Sequence, residues 1–556
     1  MKSIVLHMSE DYGWTKSVCD NYIFWFKGYV VNTTFEEIAR LANISISNIG
    51  GCSKDFSNFL SNIRGHYSFI FYKDNVLIAV VDKICTIPLF YTETSDCIII
   101  GNNAAVIKNN ISLNNNNLDS SSVLEILMSG YTIGSKTIYR SMRQITAGEY
   151  VCLHSGHIYT EYYHTYSPWK VNLRSKSSLK RELTDVLLDV MEKLSLSIKG
   201  KQVIVPLSAG YDSRLVASGL KNAGVEDVLC ISYGRENSFE VLTAKKIARR
   251  LGYEFKHISY NSDYVRNYFR SKEFNKFNDY FDRYSSVEFI QDNLAISFLH
   301  EDLKFDKNPV IINGMTGDYI SGGHIPHILS KPIKNLDTSK ERESLFDMAM
   351  EEYMHKHYNL WGSLSHQDNK DKIIESIFHF LKDRIPDFRN FNNIHAIFEV
   401  LEFYGRQSKY VVKGQEAYDY YDYDWRLPLW DPIFIDFWES VPLEYKYSQK
   451  LYKEVLIENN WGGVWDNIGI NRKTINPPWI RPVRLLFKVL FAPTGKKYWH
   501  QFERNVLKYW MDDSRVSTRY PYSRFFMDKK GHRNVVSFAS KDYVQKHTAL
   551  NLNKFL

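Results

Sequence analysis

"VPLSAGYDSRLVASGL", Val205–Leu220, decides the reading of this chain. An apolar run, Val203–Leu207, stops in a turn of small residues, and a helical pattern follows at once, "SRLVASGLKNAG". A loop between a strand end and a helix start offers backbone N–H groups and a positive helix terminus to an anion. Gly210 lets main chain approach closely, and Ser208 and Ser213 add hydroxyl donors. Asp212 is the residue out of place, since an acid repels a bound phosphate unless a metal ion lies between them. Taken alone, the turn also reads as a plain strand-to-helix connection with Asp212 as a cap.

The surroundings extend the pattern. Strand-like "VLCISY" (Val228–Tyr233), helix-like "SFEVLTAKKIARRLG" (Ser238–Gly252) and strand-like "PVIING" (Pro309–Gly314) continue an alternation that predicts a parallel sheet with crossover helices. Such sheets bind ligands beyond the carboxyl ends of their strands. The third strand ends like the first: "VIINGMTGDYISGGHIP" (Val310–Pro326) is Gly-rich and carries one acid, Asp318. Two strand ends thus each present an aspartate, a set suited to Mg²⁺, which takes one or two carboxylates together with substrate phosphates.

Upstream, residues 1–165 read as strands and short turns. "HYSFIFY" (His66–Tyr72) and "NVLIAVV" (Asn75–Val81) predict a hairpin, "CIIIG" a further strand at Cys97–Gly101, and "GEYVCLHSGHIYTEYYH" a second hairpin with Ser155-Gly156 at its tip. "NNNN" at Asn114–Asn117 predicts a turn. Ser167–Ser178 is polar and basic, as in a linker, and Leu179–Ile198 has helical spacing. The rest, to about Trp479, reads as mostly helical.

The chain has 556 residues, enough for two or three domains of about 100–200 residues each. No apolar run nears the ~18 residues of a membrane span, and "MKSIVLHMSEDYGW" lacks a signal peptide's apolar core, so the expected location is cytoplasmic. The six cysteines form no CxxC pair and no set at zinc spacing. Net charge is +7, yet residues 480–556 hold 16 Lys/Arg against 5 Asp/Glu, a tail of +11 on a body of −4. Within the tail, Ile480–Pro493 mixes bases with apolar residues. It reads either as a packing helix or as a surface for an anionic membrane or lipid-linked sugar.

With "YDYDWRLPLWDPIFIDFWESVPLEYKYSQKLYKEVL" (Tyr421–Leu456) added, the chain resembles the asparagine synthetase family up to about residue 480. Ser208–Ser213 matches its S-G-G-x-D-S loop with Ala209 for the first Gly, and Glu240 and Ala244 match the D-E-x-x-x-A segment. Asn313–Gly323 corresponds to S-G-x-G-x-D-x-x-x-G-G with Asn313 for Ser and Thr316 for the second Gly, and Asp424 to Asp431 corresponds to E-x-R-x-P-x-x-D with Asp424 for Glu. Arg64–Tyr91 and Gly130–Val151 resemble segments of the family's glutaminase domain. The resemblance implies an N-terminal Ntn-hydrolase-like α+β domain (αββα sandwich) over 1–165. It implies an α/β ATP-pyrophosphatase domain with a parallel sheet, of the adenine nucleotide α-hydrolase type, over 179–480. The basic extension, 481–556, follows.

The resemblance further implies an ATP-dependent carbon–nitrogen ligase that adenylates a carboxylate, releases pyrophosphate and passes the acyl group to ammonia or an amine. ATP and Mg²⁺ are the implied cofactors. Leu207, Ser208, Gly210, Asp212, Ser213, Tyr233, Asn313 and Gly314 would hold the nucleotide, and Asp212 and Asp318 the metal. Lys473 or Lys450 would stabilise charge in the second step. Arg426 reads either as a guide for a carboxylate or as a buried partner of Asp424. A homodimer is expected, and no nucleic-acid partner. "SAGYDSR" (Ser208–Arg214) with "WRLPLWD" resembles a branch associated with surface-polysaccharide clusters, which implies a uronate or sugar-linked acid. Rival readings are an intramolecular amide cyclase, asparagine synthesis from ammonia, an RNA-modifying pyrophosphatase and a non-catalytic scaffold.

Departures from the family pattern bear on the chemistry. Position 2, where glutamine-using members carry the nucleophilic cysteine, holds Lys2, and the family's Glu stands replaced by Met315. A thiolate is required for the glutamyl thioester. The chain is therefore expected to release no glutamate from glutamine, in a coupled glutamate assay with and without ATP. Glutamate release at a useful rate overturns this expectation.

Overall fold

The computed structural model describes residues 2–19, 21–47, 53–302, 309–330, 339–386, 388, 393–470, 475, 477–511, 518–550 and 552. Among these residues the N-terminal region forms two sheets. A four-stranded sheet has the order β1 (Ser3–His7), β7 (Cys97–Gly101), β6 (Phe90–Glu93), β8 (Met142–Gln144). A six-stranded antiparallel sheet has the order β10 (His157–Tyr162), β9 (Glu149–His154), β5 (Val76–Val81), β4 (Gly65–Lys73), β3 (Tyr22–Val30), β2 (Thr15–Cys19).

Strand periodicity explains why these sheets stack. Alternate side chains point to opposite faces. Phe24, Phe69, Phe71, Ile78 and Val80 pack on Ile38, Phe56 and Leu60 of α1 (Phe35–Ser47) and α2 (Lys54–Asn62). Their neighbours Trp25, Ile70, Leu77, Ala79 and Val81 join the other core, which contains Ile98–Ile100 of β7. With α3 (Ala104–Asn110) on the outer face of the four-stranded sheet, the result is an αββα sandwich. Both predicted hairpins form. Their tips, Asp74-Asn75 and Ser155-Gly156, take the positive φ that tight two-residue turns require. The Asn114–Asn117 turn is a 3₁₀ turn capped by Asn114.

The predicted linker is shorter than its sequence suggests. Ser175 caps α5 (Lys176–Ser197), so the last residues of the basic stretch are its first turn. A five-stranded, all-parallel sheet follows, in the order β13 (Glu254–Ser259), β12 (Val228–Gly234), β11 (Gln202–Pro206), β14 (Pro309–Ile312), β15 (Asp424–Arg426). β13 and β15 are additions to the three strands legible in the sequence. α6 (Asp212–Asn222) leaves the end of β11, and α7 (Phe239–Leu251) connects β12 to β13, capped by Ser238 and Gly252.

Charged side chains join the two regions. Arg64 donates to both carboxylate oxygens of Asp431, at 3.1 and 3.0 Å, and Lys27 pairs with Asp419 at 2.8 Å. The C-terminal residues fold back onto the body: Trp361 Nε1 donates to Ser540 in the helix Val535–His547, and His547 pairs with Asp282 at 2.7 Å. Among the described residues, no helix is long and apolar enough to cross a membrane.

Arg426 has neither of its expected roles. It is buried, donates to Ser197 and lies 4.1 Å over the Tyr29 ring, while Asp424 pairs with Lys201. Both side chains lie on one face of the strand, and they part because the end of α5 offers the Ser197 hydroxyl and carbonyl to Arg426 while Lys201 takes Asp424.

Arg214, in α6, is fully buried and donates to four carbonyls: Ala209 at the loop, and Val464, Ile468 and Gly469 in the segment beyond. Arg214→Met keeps much of the volume and strands those carbonyls. It is expected to cost on the order of 3 kcal/mol, read as a lower urea midpoint.

Candidate active site

The carboxyl ends of β11, β12 and β14 open into one cavity of about 570 Å³. Leu207, Ser208, Gly210, Asp212, Ser213, Tyr233, Asn313, Gly314 and Asp318 all line it, so the sequence motifs converge in space. Lys450 does not line it. Lys450 begins the helix Lys450–Asn459 on its exposed side, with its ammonium over the Tyr445 ring, and the preceding Gln449 faces the cavity instead. Lys473 lies outside the described residues.

The loop after β11 is tied from within. Ser208 N–H donates to Ser213 Oγ at 3.0 Å, Gly210 N–H to Ser208 Oγ at 3.1 Å, and Ala209 N–H to Glu240 Oε2 at 2.7 Å. Three loop amides expected to meet an anion are therefore engaged by side chains here. The groups facing the cavity are the two hydroxyls, 3.0 Å apart, and the start of α6, whose N-cap Tyr211 makes no side-chain cap bond. An uncapped helix start presents orphan N–H groups and positive potential.

The second loop is pressed against the first. Asp318 N–H donates to Asp212 Oδ2 at 2.8 Å, and Tyr452 OH to Asp212 Oδ1 at 3.1 Å. A Cβ on Gly314 would lie 2.8 Å from the Asp212 backbone, and one on Gly317 would lie 2.7 Å from its carboxyl carbon. Only glycine fits at either place. Burial and the neighbouring Asp318 charge push the Asp212 carboxyl up to about 8. Two carboxylates sharing one wall of an open polar cavity form an oxygen donor set of the kind a hard divalent cation takes.

Six residues given no role in the sequence reading, Asp292, His324, Lys356, His357, Glu402 and Arg406, complete the site. Asp292 accepts from Tyr233 OH and Tyr418 OH, both at 2.5 Å, and from Asn313 Nδ2 at 2.9 Å. His324 joins Asp318 (Nε2 to Oδ2, 3.1 Å) to the buried Glu402 (Nδ1 to Oε1, 2.5 Å). Lys356 and His357 also approach Glu402, each at 3.2 Å, and Arg406 lies 3.9 Å from it. Burial opposes charge on Glu402, but His324 and His357 outweigh it and hold the carboxyl well below its usual range. Burial likewise opposes charge on His324, yet Glu402 and Asp318 push the imidazole up to about 9. Arg406 belongs to a π-helical stretch, Phe403–Tyr410, an irregularity frequent at functional sites. One signal pointed to His324: it follows Gly322-Gly323, and Gly322 takes φ +90° against the Lys446 carbonyl. Glu402 and Asp292 carry none, since isolated acids gain meaning only from tertiary neighbours.

A second cavity of about 420 Å³ shares Tyr233, Glu240 and Gln291 with the first and is walled by Thr518, Arg519 and Tyr520. The C-terminal extension thus forms part of the surroundings of the site.

An αββα sandwich joined to a parallel α/β domain, with acids at adjacent strand ends, defines an amidotransferase-type domain fused to a synthetase-type domain. Family models agree: one described as a glutamine amidotransferase domain matches residues 54–164, and one described as asparagine synthase matches residues 198–458. The chain belongs to the asparagine synthetase family. No curated protein matches it. Among solved structures, the allosteric regulatory enzyme of purine biosynthesis is 12% identical over 44% of this chain and 61% of its own, with a TM-score of 0.16. Glutamine phosphoribosylpyrophosphate amidotransferase from B. subtilis, complexed with ADP and GMP, is 12% identical over 55% of this chain and 59% of its own, with a TM-score of 0.17. The chain spans about three fifths of each, and at these TM-scores neither bears on the fold.

The Asp212 shift gives a pH test. Its carboxyl titrates near 8 in the folded chain against 3.8 when free, so the native state holds the extra proton between those values. Stability then falls as pH rises through that window. Asp212→Asn removes the charge and is expected to be more stable than the parent by on the order of 2 kcal/mol at about pH 9 and equal to it at about pH 4, read by urea denaturation at each pH.

Proposed function

We propose that the chain is an ATP-dependent carbon–nitrogen ligase that activates a substrate carboxylate as an acyl-adenylate. The observation that carries the reading is the contact of Asp212 with Asp318 at the mouth of a cavity bounded by an uncapped helix start. In the first step a carboxylate oxygen bonds to the α-phosphorus of ATP, the bond to the bridging oxygen breaks, and pyrophosphate leaves. In the second, an amine nitrogen bonds to the acyl carbon, AMP leaves with the bonding pair, and the nitrogen loses a proton.

The side chains divide this work. Ser208, Ser213 and the first turn of α6 face the pyrophosphate, and Leu207, Tyr233, Asn313 and Gly314 border the nucleoside. Asp212 and Asp318 would hold Mg²⁺, which supplies neutralisation of phosphate charge when bound. His324 and Arg406 offer positive groups to the incoming carboxylate beside Met315, at the place where the family carries Glu. Preorganised charge of this kind is usually the largest contribution to such a reaction. Within this reading the acid is a uronate or sugar-linked carboxylate of surface-polysaccharide synthesis, supported by the likeness of the "WRLPLWD" segment to that branch.

The test is ATP–pyrophosphate exchange across a panel of carboxylic acids that includes nucleotide-linked uronates. Exchange is expected with one acid class and is expected to fall by about 10³-fold in Asp318→Asn, whose metal and charge contacts are lost. Exchange with no acid, or AMP formed only when RNA is added, overturns the proposal.

A further inference from the structure

The helix Ile480–Leu490 has two apolar faces, and only one has a protein partner among the described residues. Ile480, Val483, Phe487 and Phe491 pack on Trp499, Phe502, Val506 and Leu507, with Phe487 and Phe491 each 4.8 Å from the Phe502 ring. This small core fixes how the helix is rotated. At 3.6 residues per turn, Trp479, Pro482, Leu485, Leu486, Val489 and Leu490 fall within about 140° on the side away from it. Leu485 and Val489 are 64% exposed, and Leu486 and Leu490 are 59% exposed. Apolar residues scattered singly on a surface need no explanation, whereas a contiguous aliphatic stripe held outward does.

The charges beside the stripe identify its partner. Residues 479–498 contain Arg481, Arg484, Lys488, Lys496 and Lys497 and no acid. Arg481 and Lys488 lie along one edge of the stripe by helical spacing, and exposed Lys496 and Lys497 follow the helix. Trp479 and Tyr498, 56% and 58% exposed, stand at the two ends of the segment, the amphipathic rings favoured where apolar and aqueous media meet.

We infer that the face formed by residues 479–498 is a docking surface for a bilayer rich in anionic lipid. The aliphatic stripe enters the acyl boundary, while the flanking bases meet the headgroups, as in helices that lie in the membrane plane. A second copy of the chain fits poorly: Arg484 is taken up by Glu503, but a two-fold contact sets each patch against itself, and Arg481, Lys488, Lys496 and Lys497 would then face their own kind. RNA would use the bases and leave the aliphatic stripe without a role, since bases stack on aromatic rings.

The experiment is flotation of the full chain with vesicles of phosphatidylcholine alone or of equal parts phosphatidylcholine and phosphatidylglycerol, at low and high salt. Binding is expected to the anionic vesicles only, weakened by salt. Leu486→Asp/Val489→Asp is expected to abolish it with an unchanged melting curve, since both positions are exposed. Lys488→Gln and Lys496→Gln are each expected to weaken it about fivefold. Binding to neither vesicle, equal binding to both, or anionic binding untouched by the double aspartate variant overturns the inference. So does a dimer in sedimentation velocity that the double variant splits.

Discussion

The contact on which the site depends is the hydrogen bond from the Asp318 amide to the Asp212 carboxylate. It places two acids from adjacent parallel strand ends in one cavity, an arrangement electrostatics disfavours and burial makes worse. The surrounding structure enforces it. Gly314 and Gly317 allow a backbone approach that any Cβ would block, Arg214 ties the first loop to the segment beyond Val464, and Glu240 holds the Ala209 amide. Stability is given up at this point, as is usual where a site must hold like charges for a ligand's sake.

Compensation is built in behind the same loop. Glu402 is fully buried yet faces the cations His324, Lys356 and Arg406, with His357, whose imidazole burial pushes down to about 4, beside them, so its charge does not stand alone. His324 carries that field forward to Asp318. The π-helical stretch after Glu402 makes this workable, because a wider turn re-aims Arg406 to the cavity while Gln407 donates to Glu402 at 3.1 Å.

The amidotransferase-type domain also supports this geometry. Arg64 neutralises Asp431, the N-cap of the helix Pro432–Glu439, and His66 Nε2 meets the Leu427 carbonyl at 3.1 Å, so the domain braces the edge strand β15. Lys2, at the head of β1, pairs with Glu93. Burial pushes the Cys85 thiol up to about 12.

By itself the sequence determined the two-region architecture, both β-hairpins, the strand–loop–helix at Ser208 and nearly every cavity residue that sits in a glycine-rich loop. These features are local: periodicity of two or 3.6 residues and the special φ of glycine act over a few neighbours, so they are legible in order along the chain. Tertiary structure alone decided that Glu402 and Asp292 belong to the site, that Arg426 leaves Asp424 for Ser197 and Tyr29, that Lys450 points to solvent, and that one face of the helix Ile480–Leu490 stays bare among the described residues. Each of these depends on groups far apart in sequence, and the role of a charge or an apolar face is set by what burial brings beside it.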